Sequence, residues 1–444
     1  MIRSITRFFI RLVQKWLPQP FTLAVVLSML VYIMGMFICS KTAHEMNDYW
    51  GKGFFSLYGF TMQMVLLLVT GHALANAKPL KKFLRFLAGM TNGSVSAIVF
   101  VSVISTIAAY FNWGFGPIVG AVIAREVAVK NSGKGVHFPL LVAAAYAGEV
   151  MRGPSSSIPL AVSSPGHFLE KVCGVVPVSE TLFSSWNLIL SFIILVGMPI
   201  LFVMMAPRKD EDEIIELDPA LVAREMQVAE EEKEEKATPA QKIDNSVILC
   251  VILILSGAWY LYDFFANNAT FNLSMNIVIM CFLVAGLLAH KTLSNYSKAI
   301  QVASGTTGGI LLQFPFYAGM MGMMRNSGLA AWMANLFAQF ATPKTLPLYT
   351  FWSAGLINIF IPSGGGQWAV QGPIMIEAAK QIGADYAKVT MALCWGDSWT
   401  NMIQPFWALP VLAICNLTVR DIMGYCVMIA LFVGVVVSAT LILI

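Results

Sequence analysis

The sequence predicts an all-α polytopic membrane protein with about nine transmembrane helices and two re-entrant hairpins, arranged as two inverted repeats with helices broken near the midplane. Three observations support this prediction. Of the 444 residues, 57% are hydrophobic and only 12% are charged. The apolar residues lie in runs of about 20, the length that a helix needs to cross a bilayer. Several landmark residues recur at an offset of 250 positions, which indicates an internal repeat.

The composition excludes several broad classes of protein. A soluble chain carries about 25% charged residues, so a soluble enzyme, a nucleic-acid-binding protein and a disordered protein are not expected. The formal charge of +4 hides an acidic segment, because residues 208–245 hold 13 acidic and 6 basic side chains. The remaining chain is basic, which suits loops that face an anionic leaflet. The seven cysteines form no C-x-x-C pair, so we expect small core residues rather than disulfides or metal ligands.

Apolar runs predict the transmembrane helices in chain order. Seven uninterrupted runs cover 21–39, 54–77, 182–206, 246–266, 272–290, 303–324 and 422–444. Two more, 138–165 and 386–416, carry glycine and charge at their centres, at 148–154 and 396–401. These two predict broken helices, because unwound backbone inside a membrane is tolerated only where it is buried or lines a cavity.

Two segments predict hairpins that enter the membrane and return to the same side. In the first, residues 94–111 precede the tip Asn112-Trp113-Gly114-Phe115-Gly116-Pro117 and the apolar return 118–124. Basic residues flank both ends, so this hairpin is expected to open to the cytoplasm. The second runs from 346–361 through the tip Pro362-Ser363-Gly364-Gly365-Gly366 to 367–379. The connectors 78–92 and 325–345 are amphipathic and are expected at the membrane surfaces.

Paired landmarks define the repeat. Those at offsets of 250 or 251 are Gln63 and Gln313, Gly114 and Gly364, Gly116 and Gly366, Pro154 and Pro405, and Pro159 and Pro410. Threading the chain from a cytoplasmic N-terminus gives the two copies opposite orientations, as in secondary transporters. We therefore divide the chain into an amphipathic stretch with the first transmembrane helix, a first repeat, an acidic cytoplasmic loop, two linking helices and a second repeat. Their boundaries are 1–53, 54–206, 207–245, 246–302 and 303–444.

The hairpin tips and helix breaks form the predicted binding site. The start of a helix carries unpaired N–H groups and partial positive charge, so it attracts anions. Hydroxyls, amides and glycine backbone converging there suit a small carboxylate. The substrate-binding candidates are Asn112, Gly114, Gly116, Ser155, Ser156, Ser157, Ser363, Gly364, Gly365, Gly366 and Asn401. Trp113, Phe115 and Trp368 would wall an apolar pocket for a short acyl chain.

Charged residues inside the membrane are costly and mark functional or paired positions. Asp397 has no basic neighbour in the sequence, and we predict that it couples transport to Na⁺ or H⁺ together with Ser398 and Glu149. Glu149 and Arg152 either neutralise each other or leave Arg152 to hold a carboxylate, and the sequence leaves both alternatives open. No cofactor or resident metal is expected except Na⁺, for which the hairpin tips are the candidate site.

Four motifs resemble the bacterial short-chain fatty acid transporter family, and the similarity covers essentially the whole chain. They are Asn112-Trp113-Gly114-Phe115-Gly116, Pro362-Ser363-Gly364-Gly365-Gly366-Gln367-Trp368, Gln404-Pro405-Phe406-Trp407-Ala408-Leu409-Pro410 and Arg420-Asp421-Ile422-Met423-Gly424-Tyr425. The resemblance implies uptake of short-chain monocarboxylates such as acetoacetate or butyrate across the inner membrane. It also implies an ion-transporter superfamily with paired hairpins, a mobile transport domain and commonly a dimeric scaffold, hence a homodimer in the lipid bilayer and no nucleic-acid partner.

Two alternatives stay open beside this carrier function. One is an intramembrane enzyme with Ser155–Ser157 or Ser363 as nucleophile, although no Gly-x-Ser-x-Gly motif is present. The other is a carrier of the same fold for another small organic anion, such as a dicarboxylate. A primary pump is disfavoured because the sequence has no Walker-type phosphate-binding loop.

Overall fold

The computed structural model describes residues 18, 20–207, 214–217, 238–267, 273–404 and 407–444. Within these ranges the chain is helical and contains no strand. The basic N-terminal residues, most of the acidic loop and the predicted landmark Pro405 lie outside the described residues. The all-α fold class is therefore confirmed, whereas the number of about nine transmembrane helices stays a prediction.

The described part of the first half contains ten α-helices. They are α1 (Pro20–Ile38), α2 (Ala43–Phe54), α3 (Tyr58–Ala75), α4 (Lys78–Ala88), α5 (Ser94–Phe111), α6 (Gly116–Lys130), α7 (Phe138–Ala147), α8 (Ser157–Ser163), α9 (Glu170–Cys173) and α10 (Ser185–Met204). The described part of the second half continues the series. Its helices are α11 (Pro239–Asp244), α12 (Val247–Asn267), α13 (Met275–His290), α14 (Leu293–Ser304), α15 (Gly308–Ser327), α16 (Leu329–Phe340), α17 (Leu346–Asn358), α18 (Gly364–Ile382), α19 (Tyr386–Asn401), α20 (Leu409–Cys415) and α21 (Val419–Leu443).

Several of these helices can cross a bilayer by their length and composition. Among the described residues they are α1, α3, α5, α10, α12 together with α11, and α21. Many of their large apolar side chains are exposed to the surroundings, for example Trp259 on α12, whose exposed fraction is 71%. An apolar outer surface is what a bilayer requires, because lipid tails replace water around it.

Helical hairpins form at both predicted positions, and their return to the same side of the membrane stays a prediction. Helices α5 and α6 meet at the first tip, and α17 and α18 meet at the second. At the first tip, the Asn112 side-chain oxygen accepts hydrogen bonds from the backbone N–H groups of Gly114 and Phe115, at 2.8 and 2.9 Å. The arms then pack closely, because a Cβ on Gly116 would lie 2.5 Å from Ala109 Cα. At the second tip, the Ser363 hydroxyl accepts from the N–H of Gly366 at 3.4 Å and begins α18.

The first broken helix lies where the sequence predicts it, but the second break was placed too early. Helix α7 ends at Ala147, a 3₁₀ turn follows over Gly148–Val150, and α8 resumes at Ser157. In the second copy, residues 396–401 stay helical, and the described non-helical residues between α19 and α20 are 402–404 and 407–408. Gly396 misled the prediction, because it serves packing: a Cβ there would lie 2.4 Å from the Phe351 carbonyl oxygen. This glycine lets α19 approach α17 and does not interrupt the helix.

The helices before each predicted repeat also recur at the same offset. Helix α2 begins at Ala43 and α14 at Leu293, which are 250 positions apart. The packing is reciprocal, since α1 and α2 pack against α15, the first helix of the second copy, while α13 and α14 pack against α3, the first helix of the first copy. At one of these crossings, a Cβ on Gly53 would lie 2.9 Å from Gly322 Cα. We therefore propose that each repeat begins one helix pair earlier than 54 and 303.

Residues 214–217 of the acidic loop dock beside the start of the first broken helix. The Glu216 carboxylate accepts hydrogen bonds from the N–H groups of Gly133 at 2.6 Å and Gly135 at 2.7 Å. Both glycines have positive φ, +76° and +74°, which turns their N–H groups toward one point. The Ile215 N–H donates to the His137 imidazole at 3.1 Å. Residues 214–217 are thereby attached to the loop between α6 and α7.

Candidate functional site

One cavity lies where both hairpin tips and both helix breaks meet. The space between its walls is about 470 Å³, a figure that includes its open mouth. Residues from the two tips, the two breaks, α3, α8, α15 and α19 line it. The lining residues are Met64, Trp113, Glu149, Arg152, Ser156, Ser157, Ile158, Ile310, Ser363, Gly364, Cys394, Asp397, Asn401 and Trp407.

Apolar and aromatic side chains form one wall of the cavity. Met64 on α3 and Ile310 on α15 come from the first helices of the two copies. Trp113 at the first tip and Trp407 in the second break meet edge to face, with ring centroids 5.6 Å apart. The Trp407 indole N–H donates to the Pro362 carbonyl at 2.9 Å, which fixes the ring against the second tip. This wall can cover a short hydrocarbon chain.

A cluster of three charged side chains forms the polar wall. The Arg152 guanidinium lies 3.3 Å from an Asp397 carboxylate oxygen and 4.0 Å from a Glu149 carboxylate oxygen. All three side chains are buried. One further oxygen on each acid, Glu149 Oε2 and Asp397 Oδ1, is buried without a hydrogen-bond partner. The cluster therefore holds two acids and one base, and part of its acceptor capacity is unused.

The structure gives Arg152 a partner that the sequence did not predict, and its role toward a substrate stays a prediction. Asp397, which has no basic neighbour in the sequence, has Arg152 as its neighbour in space, 245 residues away along the chain. Arg152 is nearer to Asp397 than to Glu149. The self-neutralising Glu149–Arg152 pair is therefore incomplete, and one guanidinium is shared between acids from both copies.

The start of α18 points at the same cluster. Gly364 is the first residue of this helix, and a Cβ there would lie 2.9 Å from Asp397 Oδ2 and 3.1 Å from the Ser157 hydroxyl. Unpaired N–H groups and partial positive charge belong to a helix start. The Asp397 carboxylate thus lies between a guanidinium and a helix start, in an environment built for an anion.

The predicted substrate-binding residues divide between the cavity and its support. Those that line the cavity are Ser156, Ser157, Ser363, Gly364 and Asn401, together with the predicted coupling residues Glu149 and Asp397. Those that lie outside its lining are Asn112, Gly114, Gly116, Ser155, Gly365, Gly366 and the coupling candidate Ser398. The roles of all these residues in binding stay predictions.

The residues outside the lining have contacts that explain their positions. The Ser155 hydroxyl accepts a hydrogen bond from the backbone N–H of Trp113 at 3.0 Å. This bond connects the first break to the first tip. A Cβ on Gly366 would lie 2.6 Å from the Tyr317 ring, so this glycine serves packing. The Ser398 hydroxyl donates to the Trp395 carbonyl at 3.0 Å within its own helix. Of the predicted aromatic walls, Trp113 lines the cavity, whereas Trp368 is fully buried elsewhere.

The sequence did not predict five lining residues, Met64, Ile158, Ile310, Cys394 and Trp407. Gln63 and Gln313 are paired landmarks of the repeat. Met64 is adjacent to Gln63, and Ile310 lies three residues before Gln313. The repeat therefore marked the turns of helix that reach the cavity, although not the side chains that enter it. Trp407 follows Pro405 in the motif that resembles the transporter family. Its position in the break was the available signal.

A hydrogen-bonded support holds the second tip against α19. The Asn358 side-chain NH₂ donates to the Asp397 carbonyl at 2.7 Å and to the Asn401 side-chain oxygen at 2.8 Å. The Gln404 side chain donates to the Asn358 carbonyl, and the Tyr146 hydroxyl donates to the Asn401 carbonyl at 2.7 Å. These bonds hold the backbone at Asp397 and at Asn401, while the Asp397 carboxylate lines the cavity.

Metal ligation offers a further check on the site. Within the ranges that the structure describes, no group of three or more His, Cys, Asp or Glu side chains could hold a metal ion. The expectation of Na⁺ at the hairpin tips is not tested by this, because such a site would use carbonyl and hydroxyl oxygens. It stays a prediction.

Comparison with known proteins decides the family. The sequence profile described as short chain fatty acid transporter matches residues 1–444. The chain belongs to the short-chain fatty acid transporter family. One relative, from Escherichia coli strain K12, is 42% identical over 438 residues, covering 98% of both chains. Another, from Haemophilus influenzae Rd, is 39% identical over 441 residues, covering 97% of both. The names of both relatives assign them provisionally to short-chain fatty acid transport.

A solved structure supports the fold. The crystal structure of the Alcanivorax borkumensis YdaH transporter, described as having an unusual topology, matches with a TM-score of 0.54 at 16% identity. The match covers 96% of this chain and 98% of that one. Its family makes the protein a multi-pass membrane transporter. Its fold resembles that of the YdaH transporter. Its cavity lies between hairpin tips and helix breaks that come from both copies of the repeat.

Proposed function

We propose that this protein takes up short-chain monocarboxylates, such as acetoacetate or butyrate, coupled to Na⁺ or H⁺. The observation that carries the proposal is the two-sided cavity. One side offers a single guanidinium, the start of α18 and hydroxyls of Ser157 and Ser363 for a carboxylate. The other side offers Met64, Trp113 and Trp407 for a short acyl chain. Names of the relatives support the same substrate class.

A monocarboxylate suits this site better than a dicarboxylate. Arg152 is the only basic side chain in the lining that the structure describes, and it already faces two acids. A second substrate carboxylate would lie against the tryptophan wall, and burying an unpaired charge costs several kcal/mol. Adding or removing a methylene changes binding by only about 0.8 kcal/mol. We therefore expect mild discrimination between neighbouring chain lengths and strong rejection of succinate.

The serine-dependent enzyme is the weaker alternative. No histidine is among the described residues that line the cavity. Ser363 accepts a hydrogen bond from Gly366 as a helix cap, and Ser155 accepts one from Trp113. Neither hydroxyl has the activating base that a nucleophile needs. We therefore expect transport without catalysis.

For the cellular setting, we propose the bacterial inner membrane and a cytoplasmic N-terminus. The basic character of the chain outside residues 208–245 supports this orientation, because positive loops favour the cytoplasmic side. The resemblance to the transporter family suggests a homodimer, with the two copies joined through parts of the helices that face away from the cavity.

Uptake by purified protein in proteoliposomes tests this function. Labelled butyrate should accumulate when an inward Na⁺ or H⁺ gradient is imposed and should equilibrate without accumulation when both gradients are absent. Unlabelled acetate, acetoacetate and hexanoate should compete, whereas succinate should not. Empty liposomes measure the permeation of the uncharged acid through lipid. Uptake equal to that of empty liposomes, or competition by succinate as strong as by butyrate, would contradict the proposal.

A further inference from the structure

We propose that Asp397 occupies the substrate's carboxylate position in the empty carrier, and that substrate displaces it from Arg152 while the freed Asp397 takes up one monovalent cation. This inference rests on the proposed function and adds to it the coupling step and its stoichiometry. Its basis is the position of one carboxylate oxygen, Asp397 Oδ2, which contacts the Arg152 guanidinium and lies beside the start of α18.

Two groups flank this oxygen, and a hydroxyl lies beside the second of them. Arg152 Nη2 lies 3.3 Å from it. The start of α18 is directly beside it, since a Cβ on Gly364 would lie 2.9 Å away. The Ser157 hydroxyl is next to the same glycine, 3.1 Å from that Cβ position. A substrate carboxylate cannot use the guanidinium and the helix start unless Asp397 leaves them.

Because the site is buried, the substrate carboxylate must replace the Asp397 carboxylate at Arg152 whenever substrate binds. The side chains of Arg152 and Asp397 are each only 6% exposed. A buried charge that loses its partner is strongly destabilising, so Arg152 should stay paired in both states. It pairs with Asp397 when the carrier is empty and with the substrate when the carrier is loaded. Displaced Asp397 would then be an unpaired buried anion, and a bound H⁺ or Na⁺ removes that penalty.

The charges give a stoichiometry. In the empty carrier, Arg152, Asp397 and Glu149 sum to −1 when both acids are ionised. In the loaded carrier, the substrate adds −1 and the cation on Asp397 adds +1, so the sum is again −1. Protonation of Glu149 would shift both sums equally. One cation therefore accompanies each monocarboxylate, and loading leaves the charge of the moving site unchanged.

Among the described residues, no other ionisable group near Asp397 provides the negative charge that pairs closely with Arg152. Among the described residues, the remaining ionisable groups in the lining are Glu149 and the Cys394 thiol. Glu149 lies 4.0 Å from Arg152, beyond hydrogen-bonding distance. Tyr146, from α7, donates its hydroxyl to the Asn401 carbonyl and so keeps its proton engaged. Asp397 is the acid that substrate must displace.

Binding of labelled butyrate to the purified full-length protein tests the displacement. Affinity is measured from pH 6 to 8 at fixed Na⁺, and from low to high Na⁺ at fixed pH, because butyrate stays ionised throughout this pH range. The wild type should gain about tenfold in affinity for each tenfold rise in either H⁺ or Na⁺, and the two series identify which cation is used. Such a unit slope corresponds to one cation bound per substrate.

Asp397→Asn should bind butyrate at least tenfold more tightly than the wild type at low cation concentration, because the competing carboxylate is gone. Its affinity should change less than twofold across both series. Glu149→Gln should retain the cation dependence. Glu377→Gln removes a carboxylate from the far end of α18, outside the cavity lining, and serves as the matched control with the wild-type slope. A unit slope in Asp397→Asn, or binding as weak as the wild type's, would overturn the inference.

A second measurement uses the wild type alone and covers the case in which Asp397→Asn does not fold. Cation-driven butyrate uptake is compared at zero and at about 100 mV inside-negative potential. Neutral exchange predicts less than a twofold change in accumulation. Moving one net charge would change it about 50-fold, and that result would overturn the inference while leaving the proposed function intact. Wild-type protein that neither binds nor exchanges butyrate would overturn both.

Discussion

Trp113 and Trp407 lie edge to face, with ring centroids 5.6 Å apart, and join the tip of the first hairpin to the break in the second helix. They come from opposite copies of the repeat, 294 positions apart in the sequence. Because both residues also line the cavity, the wall that would hold the acyl chain is built by both halves of the molecule. Relative movement of the halves would therefore change the shape of the apolar side of the site.

Trp407→Ala should shift the chain-length preference toward acetate. The ring covers part of the acyl chain in our proposal, and each methylene that loses its cover costs about 0.8 kcal/mol, about fourfold in affinity. Butyrate and hexanoate should therefore weaken relative to acetate, measured as inhibition constants in competition with labelled butyrate. Trp259→Ala on the exposed face of α12 is the control and should leave the ratios unchanged. Equal weakening of all three acids would argue against an acyl-chain wall at Trp407.

Gly364→Ala should impair butyrate binding at least tenfold, whereas Gly365→Ala should change it less than threefold. The added methyl at Gly364 would lie 2.9 Å from Asp397 Oδ2, inside the anion position. At Gly365 the nearest atoms are 3.2 Å away and belong to the end of Met64, a flexible side chain, and to the Phe314 ring. Binding affinities of the two variants provide the comparison. Similar losses in both would place the substrate away from the start of α18.

Gly396→Ala should destabilise the protein without touching the cavity. Its Cβ would lie 2.4 Å from a backbone oxygen of α17 and 2.6 Å from Ala354 Cβ, and overpacking of this kind costs about 1–3 kcal/mol. A lower midpoint of thermal unfolding in detergent is expected. Gly59→Ala on α3 is the control, because no atom lies within 4 Å of its added methyl. An unchanged midpoint for Gly396→Ala would mean that α17 and α19 can separate at little cost.

Lys130 and Lys380 should lie on opposite sides of the membrane. They are exposed residues at or near the ends of α6 and α18, the return arms of the two hairpins. Single cysteines at these positions should react with an impermeant thiol reagent from opposite faces. The native cysteines are buried or half-buried, and labelling of the unmodified chain measures their background. Labelling of both positions from one face would contradict the inverted orientation of the repeats.

The sequence predicted local features well because glycine, proline and charge inside apolar runs have few explanations in a membrane. Both hairpin tips and the first break were located in this way. The second break was misplaced because a glycine that allows close helix packing looks like one that interrupts a helix, as Gly396 illustrates. The Arg152–Asp397 pair was not predicted, since its partners are 245 residues apart and no local pattern links them.

For the cavity, the sequence predicted which kinds of residue meet but not which individual side chains face inward. The repeat indicated that the tips and breaks converge, but not which side chains turn inward. Ser155 and Ser156 are adjacent, yet Ser155 accepts from the Trp113 N–H while Ser156 lines the cavity. Such differences depend on backbone angles in unwound segments, where the 3.6-residue periodicity of a helix no longer applies.

A structure of the protein with a bromine-labelled butyrate tests the cavity assignment most directly, because the heavy atom marks the end of the acyl chain. We expect the butyrate carboxylate to lie about 3 Å from the Arg152 guanidinium and Asp397 to be turned away from that guanidinium. The bromine should lie beside Trp113 and Trp407. Butyrate bound outside this cavity would contradict the proposed binding site. Butyrate bound within it while Asp397 still pairs with Arg152 would contradict the proposed exchange of carboxylates.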